Sequence, residues 1–184
     1  MTHSKNPENR KRSFLKAVAA GTFLPTQIVW AKTYLSVEQA KAVLLPGEDL
    51  VAKPITLEKA QMKQIATASK TRVRSNTVNA WKSSSDNWFI VDQIIGKHEN
   101  IDMAFAISKD GAVLGMEVLT YRESYGHEVR HPKWRAQFLG KTSEQHLKLN
   151  KQIKNISGAT LSCRHITDGV NRLMHTWQLV LKNT

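Results

Sequence analysis

Residues 102–121 read DMAFAISKDGAVLGMEVLTY and contain the clearest structural pattern in the chain. Two apolar segments rich in β-forming residues, 102–108 and 112–121, flank a Lys-Asp-Gly turn. An Asp-Gly pair between two such segments is typical of a tight hairpin, because glycine readily adopts the positive φ angles that these turns need. The stretch therefore predicts two adjacent antiparallel strands.

Further elements are predicted on both sides of this hairpin. Phe89-Ile90-Val91 predicts another strand, whereas residues 72–86 are polar, lack a period and predict a loop or an irregular edge strand. Apolar residues at helical spacing, capping residues and Pro or Gly boundaries predict helices over residues 36–45, 56–66, 132–139 and 161–181, with Ser36 and Thr56 as caps. These elements predict an α+β fold, a small antiparallel sheet with packed helices and a long C-terminal helix.

Charge and length limit the classes of function. The 184 residues predict one core, and they carry a formal net charge of +12, with 27 Lys or Arg and 15 Asp or Glu. Residues 1–31 hold five of the bases and one of the acids. The other bases form no run of five and do not alternate with aromatic residues, so the sequence does not indicate nucleic-acid binding. It predicts a solvated basic surface, with an acidic partner or anionic ligand as the alternative.

Cysteine usage limits the metal and redox chemistry. Cys163 is the only cysteine, which excludes an internal disulfide and a Cys-based zinc or iron–sulfur site, and there is no C-x-x-C-H for haem attachment. Residues 127–131 match the zinc-protease pattern H-E-x-x-H, but Gly126 and Pro132 bracket it and oppose the continuous helix that such a site needs. No metal site is predicted, and any redox function requires a cofactor held without thiolates.

Residues 1–31 have the pattern of an export signal. A basic segment that ends in RKRSFLK precedes the apolar residues 17–24, and Ala31 is a plausible cleavage position. The segment resembles a twin-arginine signal with Lys11 in place of the first arginine, which leaves ordinary secretion open. Pro25 ends the apolar run short of the roughly 20 residues that a membrane span needs, although a retained anchor and a cytoplasmic tail are alternatives. We predict a periplasmic protein and leave membrane association open.

The segment ISGATLS at residues 156–162 is the strongest candidate for a ligand site. It lies where the long helix is predicted to begin, so free N–H groups and the positive end of the helix dipole would favour a phosphate there. Gly158 and Ala159 would allow a ligand to approach the backbone, and Ser157, Thr160 and Ser162 offer hydroxyl groups. A simple helix cap is the alternative interpretation.

This segment resembles the S/T-G-A-T flavinylation motif of the FMN-binding domain family, found in the C subunit of the sodium-pumping quinone reductase and the G subunit of the Rnf complex. The resemblance covers roughly residues 88–175 and includes residues 96–99, 110–111, 121–126 and 134–138. It implies FMN as the cofactor, attached through a phosphoester to Thr160, with neighbouring contacts from Ser157, Gly158, Ala159, Leu161 and Ser162. The family usually has an acid three residues before the Ser or Thr, where this chain has Lys154, which puts recognition by a flavin transferase in question.

The resemblance also implies contacts outside the motif. Glu123, Tyr125 and Gly126 match the loop that borders the flavin ring, with Tyr125 placed to stack on it, and a polar turn is the alternative. Trp134 and Arg135 are expected to shield the ring or to pair with the phosphate, although Trp134, like Phe138, is equally well explained by core packing. A thiol at Cys163 close to a flavin would be reactive, whereas a small packing residue is the alternative.

The sequence thus predicts a signal at residues 1–31, an N-terminal helical segment at 32–75 and an FMN-binding domain at 76–184. The predicted function is electron transfer by an exported flavoprotein, more a carrier than a stand-alone enzyme. The implied partners are a membrane redox protein or c-type cytochrome as electron donor or acceptor, and a flavin transferase. Two rivals stay open, a flavin-free binding or assembly module of the same fold and a flavin-dependent reductase of small molecules.

Overall fold

The computed structural model describes residues 31–184, so the predicted signal lies outside the described residues except for Ala31. Seven strands of residues 31–184 form one sheet. The strands are β1 (Lys32–Thr33), β2 (Leu50–Ala52), β3 (Ile55–Thr56), β4 (Thr77–Ser83), β5 (Trp88–Ile95), β6 (Asn100–Ile107) and β7 (Val113–Tyr121). All of the strand pairs are antiparallel, in the order β1-β7-β6-β5-β4-β2, and β3 pairs with β4 next to β2.

Helices cover both faces of this sheet. They are α1 (Val37–Leu44), α2 (Lys59–Ser69), α3 (Pro132–Arg135) and α4 (Thr160–Leu179), with 3-10 turns at His127–Arg130, Ala136–Phe138 and Leu181–Asn183. The predicted α+β fold, with its antiparallel sheet and its long helix after the S-G-A-T segment, is confirmed. Within residues 31–184, none of the helices combines the length and the apolar character that crossing a membrane requires.

Alternation along the central strands divides the core into two layers. On β6, Met103 and Phe105 pack in the layer that contains α2 and α4, and Ala104 and Ala106 pack in the layer that contains α1. Successive side chains of a strand point to opposite faces, so both faces of this strand must be apolar. The small alanines leave room for α1, and the large residues fill the space beneath α4.

The structure corrects the prediction for residues 72–86. β4 lies inside the sheet, between β5 on one side and β2 and β3 on the other. Its buried positions include Val78 and Ala80, while Thr77 and Asn79 are exposed. The polar composition hid a short alternating pattern, and pairing on both sides stabilises the strand more than its own propensity indicates.

The structure also corrects the start of the second helix. α2 begins at Lys59, and Thr56 belongs to β3 rather than capping the helix. Glu58 is the N-cap residue, and its backbone N–H donates to Gln61 Oε1 at 2.8 Å. The N-terminal segment thus contains three short strands as well as two helices, and these strands extend the sheet at β4 and β7.

Candidate cofactor site

The S-G-A-T segment forms a tight turn that leads directly into α4. The turn closes through a 3.0 Å hydrogen bond from Ala159 N to Ile156 O, and Gly158 is exposed at φ +85°. Ala159 is the N-cap residue, and Cys163 N donates to its carbonyl at 2.9 Å. No side chain of residues 31–184 caps this helix. Its first N–H groups therefore remain available at the positive end of the helix dipole.

The Thr160 hydroxyl lies at the first residue of α4 and has one hydrogen-bond partner among residues 31–184. Asn155 Nδ2 donates to Thr160 Oγ1 at 2.8 Å, and the Thr160 side chain stays partly exposed. The other amide atom, Asn155 Oδ1, is buried and has no hydrogen-bond donor among the described residues. A buried acceptor without a donor costs about 1–3 kcal/mol, so a ligand that supplies a donor here would be stabilised.

The loop after β7 packs against the start of α4. Gly126 has φ +91°, and a Cβ atom built on it would lie 2.7 Å from both Ser162 Oγ and Tyr121 Oη. Tyr121 Oη donates to the Tyr125 carbonyl at 2.5 Å and lies 2.9 Å from Ser162 Oγ. Burial raises the pKa of Tyr121, so its hydroxyl stays protonated. The two parts of the predicted site, residues 123–126 and 157–162, are therefore in direct contact.

Ser162 and Tyr125 contribute in different ways to this contact. The Ser162 side chain is buried and hydrogen-bonded to Tyr121, so it positions the loop. Tyr125 is 83% exposed and Leu161 is 40% exposed, which leaves an aromatic and an apolar side chain on the surface beside the motif. An exposed aromatic ring can stack on a planar ligand with little rearrangement.

Glu123 is hydrogen-bonded to the turn between β5 and β6. Its Oε1 accepts hydrogen bonds from the backbone N–H groups of His98 at 2.6 Å and Glu99 at 3.0 Å, in the turn between β5 and β6. Burial alone raises the pKa of Glu123, but hydrogen bonds from the backbone of residues 97–99 outweigh it, and the pKa is lowered. Glu123 thus holds this turn against the loop that carries Tyr125.

We expect Glu123→Gln to destabilise the fold at pH 7 by about 1–2 kcal/mol, because a charged acceptor binds N–H groups more strongly than an amide does. Since the folded-state pKa lies below the ordinary value of 4.5, this contribution is complete above pH 4.5 and is lost as the pH falls through the folded-state pKa. Urea unfolding of wild type and variant at several pH values measures the difference.

Glu99→Gln is the matched control, because Glu99 is exposed in the same turn and its carboxylate has no hydrogen bond within residues 31–184. We expect it to change the free energy of unfolding by less than about 0.5 kcal/mol. An effect of Glu123→Gln that stays constant as the pH falls below 4 would contradict the assigned role of the charge.

The segment that begins with α3 fixes the chain just before the motif. Trp134 Nε1 donates to Lys154 O at 2.8 Å, and Lys154 N donates to Gln137 Oε1 at 2.7 Å. The Lys154 side chain itself is exposed. Both backbone groups of Lys154 are thus held, which sets the path of the chain toward the S-G-A-T turn.

The other residues of this segment serve packing and pairing. Trp134 is 5% exposed, and its ring lies edge-to-face on the fully buried Phe138 with centroids 5.2 Å apart, which favours core packing for both. The Arg135 guanidinium bonds the Met116 carbonyl and pairs with the Glu117 carboxylate on β7. Arg135 is therefore already engaged by β7.

Two further sequence features are the H-E-x-x-H match and Cys163. Residues His127–Arg130 form a 3-10 turn rather than a turn of α-helix, and residues 31–184 contain no group of three or more His, Cys, Asp or Glu side chains arranged to hold a metal ion. Cys163 is fully buried, and burial raises the pKa of its thiol. The protonated thiol is a packing residue, since reactivity requires the thiolate.

Three residues that contact the site were missed by the sequence analysis. Asn155 bonds Thr160, Tyr121 bonds Ser162 and the Tyr125 carbonyl, and Gln137 bonds the backbone of Lys154. A polar side chain just before the motif is a signal for Asn155, because Asn commonly bonds groups a few residues away. Tyr121 and Gln137 act across long sequence separations, and no local pattern indicates them.

One known protein family matches the part of the chain that contains this site. Residues 96–175 match the model of the FMN-binding domain, and this match spans β6, β7, the loop with Tyr125 and most of α4. This match identifies residues 96–175 as an FMN-binding domain and indicates FMN as the cofactor. No curated protein matches the chain.

Proposed function

We propose that this protein is an electron-transfer flavoprotein that carries FMN at the start of α4, with the phosphate esterified to Thr160. The observation that carries the proposal is the position of the Thr160 hydroxyl on the first turn of an uncapped helix, beside the exposed Tyr125. N–H groups at a helix start bind phosphate, and Tyr125 can cover one face of a flavin ring. Bound FMN supplies one- or two-electron chemistry, and the residues of the loop orient it and limit its contact with water.

The proposed attachment is a phosphoryl transfer with Thr160 as the nucleophile. Thr160 Oγ1 forms a bond to the flavin-side phosphorus of a flavin dinucleotide, and the bond from that phosphorus to the adenylate oxygen breaks. AMP leaves, and the hydroxyl proton passes to a base of the transferase. Thr160 is suited to this step because it is partly exposed, whereas Ser162 is buried behind Tyr121.

The structure provides support for a carrier over the two rivals. The exposed Tyr125 and Leu161 border an open surface, which suits electron exchange with another protein more than capture of a small substrate. A flavin-free module would have no need for a free helix start beside an exposed aromatic residue. Flavin in the purified protein separates the carrier from the module, and turnover with candidate small acceptors separates it from a reductase.

We propose an acidic redox protein as the partner, such as a membrane redox protein or c-type cytochrome. Lys151, Lys154 and Arg164 are exposed around the S-G-A-T turn, and none of them forms an ion pair within residues 31–184. Unpaired bases around the cofactor would steer an acidic surface toward it, and this steering weakens as salt is added. The rate of electron transfer to an acidic partner should therefore fall as the ionic strength rises, and measuring this rate at several salt concentrations tests the proposed partner.

We propose that the protein works in the periplasm after export. The support is the basic and then apolar pattern of residues 1–31. Cell fractionation should place the protein outside the cytoplasm, with a mature chain that begins near Lys32. Arg12→Lys should arrest export by a twin-arginine route, because the last arginine of the pair is then lost. Full-length protein in the cytoplasm would contradict the proposed location.

Lys154 provides a test of how the transferase reads the motif. We expect Lys154→Asp to increase covalent flavin several-fold over an incompletely modified wild type, because an acid is usual at this position in the family. The substitution is a mild one, since the side chain is exposed and the hydrogen bonds of Lys154 within residues 31–184 use its backbone alone. Co-expression with a flavin transferase, followed by flavin fluorescence on a denaturing gel, measures the change.

Lys151→Asp is the matched control, because it makes the same charge change at another exposed position of the same segment. An equal gain of covalent flavin in both variants would show that the charge of the segment matters and not the position of Lys154. If Lys154→Asp gains nothing over an under-modified wild type, the lysine does not limit attachment. If neither protein binds FMN in any form, the flavin-free module becomes the better description.

A further inference from the structure

Asn155 is the one side chain within residues 31–184 that hydrogen-bonds the Thr160 hydroxyl. We propose that Asn155 is a positioning residue that orients this hydroxyl for phosphoester formation, an inference that rests on the proposed function. The amide donates into one lone pair of Oγ1 at 2.8 Å. The second lone pair and the hydroxyl proton are then directed away from Asn155, toward the flavin phosphate and a base of the transferase.

The backbone around Asn155 is fixed, which gives the amide a defined place from which to act. Lys154 is held through its N–H and its carbonyl, and the Ile156 carbonyl accepts the turn-closing bond from Ala159. A side chain acting from a fixed backbone loses little further freedom when its hydrogen bond forms. The hydroxyl is thus aimed by the fold before any transferase arrives.

The unpartnered atom of Asn155 argues against a purely structural role. Its Oδ1 is buried without a donor among the described residues, so the side chain gains one hydrogen bond and leaves another group unpaired. The free energy gained from the hydrogen bond to Thr160 and the free energy lost by burying the unpaired Oδ1 are of similar size. Stability alone therefore gives little reason for an asparagine at this position, whereas control of the hydroxyl does.

The experiment compares initial rates of covalent flavin incorporation, with purified transferase and flavin dinucleotide, for wild type, Asn155→Ala and Asn155→Asp. We expect both variants to be slower by about 5- to 20-fold, because each lacks the donor that orients Oγ1. Their midpoints of thermal unfolding and their affinities for free FMN should stay close to wild type. Gln152→Ala is the control, since it removes one side-chain hydrogen bond, to Lys148 N, in the same segment.

A double-mutant cycle with Thr160→Ser separates orientation from a general loss of structure. Serine lacks the methyl group that restricts χ1 in threonine, so the rate should depend more strongly on Asn155 in the Thr160→Ser background. We expect Asn155→Ala to reduce the rate of covalent flavin incorporation by a larger factor in the Thr160→Ser background than in the wild-type background. Equal factors would show that Asn155 acts on something other than the hydroxyl.

The outcomes distinguish this inference from the proposed function. If wild type is modified and Asn155→Ala is modified at the same rate, the role of Asn155 is overturned and the attachment to Thr160 stands. Asn155→Asp at or above the wild-type rate would overturn the donor role, since a carboxylate cannot donate. If wild type gains no covalent flavin, the attachment itself is wrong and the role of Asn155 falls with it.

Discussion

Thr160→Val is expected to reduce covalent flavin to below about 1% of wild type, because it removes the nucleophile of the attachment step. Valine keeps the shape of threonine, so the first turn of α4 should persist. The expected loss of stability is about 1 kcal/mol, from the hydrogen bond with Asn155. Flavin fluorescence on a denaturing gel measures the covalent fraction, and thermal unfolding measures the fold.

Ser157→Ala and Ser162→Ala are the controls for this result, because they remove the other two hydroxyls of the motif. Both should keep covalent flavin, although Ser162→Ala should loosen the loop through the loss of its contact with Tyr121. Free FMN should still bind Thr160→Val, since the N–H groups at the start of α4 are unchanged. Covalent flavin that persists in Thr160→Val would show that another residue carries the bond.

Gly126→Ala is expected to weaken FMN binding at least about tenfold and to destabilise the fold by about 2–4 kcal/mol. The residue has φ +91°, and the added methyl group would lie 2.7 Å from Ser162 Oγ and from Tyr121 Oη. Relief of this clash must move the loop away from α4, which also moves Tyr125. Titration with FMN and urea unfolding measure the two effects.

Gly140→Ala is the control for the backbone strain that an alanine has at positive φ, without the steric clash expected in Gly126→Ala. Gly140 also has a positive φ, +71°, but an added Cβ there would meet no atom of residues 31–184 within 4 Å. We expect a loss of about 1 kcal/mol in stability and unchanged affinity for FMN. If the two variants bind FMN equally well, the contact between the Gly126 loop and α4 does not shape the site.

The sequence was most informative where one local pattern determines one element. The Asp-Gly pair predicts β6 and β7 because these residues favour a tight turn between strands, and apolar residues at helical spacing predict α4 because one face of this helix packs on the core. Residues 72–86 were predicted as a loop or an irregular edge strand, and the place of β4 inside the sheet was not predicted, because its polar composition does not reveal that it pairs on both sides. The start of α2 was misplaced because Thr56 is a good capping residue that the structure uses in β3 instead.

The sequence indicates those parts of the candidate site whose residues are neighbours in the chain. The motif at 157–160 and the position of Thr160 on the first turn of α4 follow from the residues themselves. The role of Glu123 does not, because its partners lie in a turn 24 and 25 residues away. The role of Trp134 cannot be told from the sequence, because an aromatic residue near a motif has the same sequence pattern whether it covers a ligand or packs in the core.

The most direct test of the central claim is mass spectrometry of the peptide that contains Thr160, from protein co-expressed with a flavin transferase, together with titration of the unmodified protein with FMN. We expect the peptide to gain the mass of FMN less one water, with fragmentation that places the adduct on Thr160. We also expect saturable one-to-one binding of free FMN. An unmodified peptide together with no binding of FMN would contradict the account.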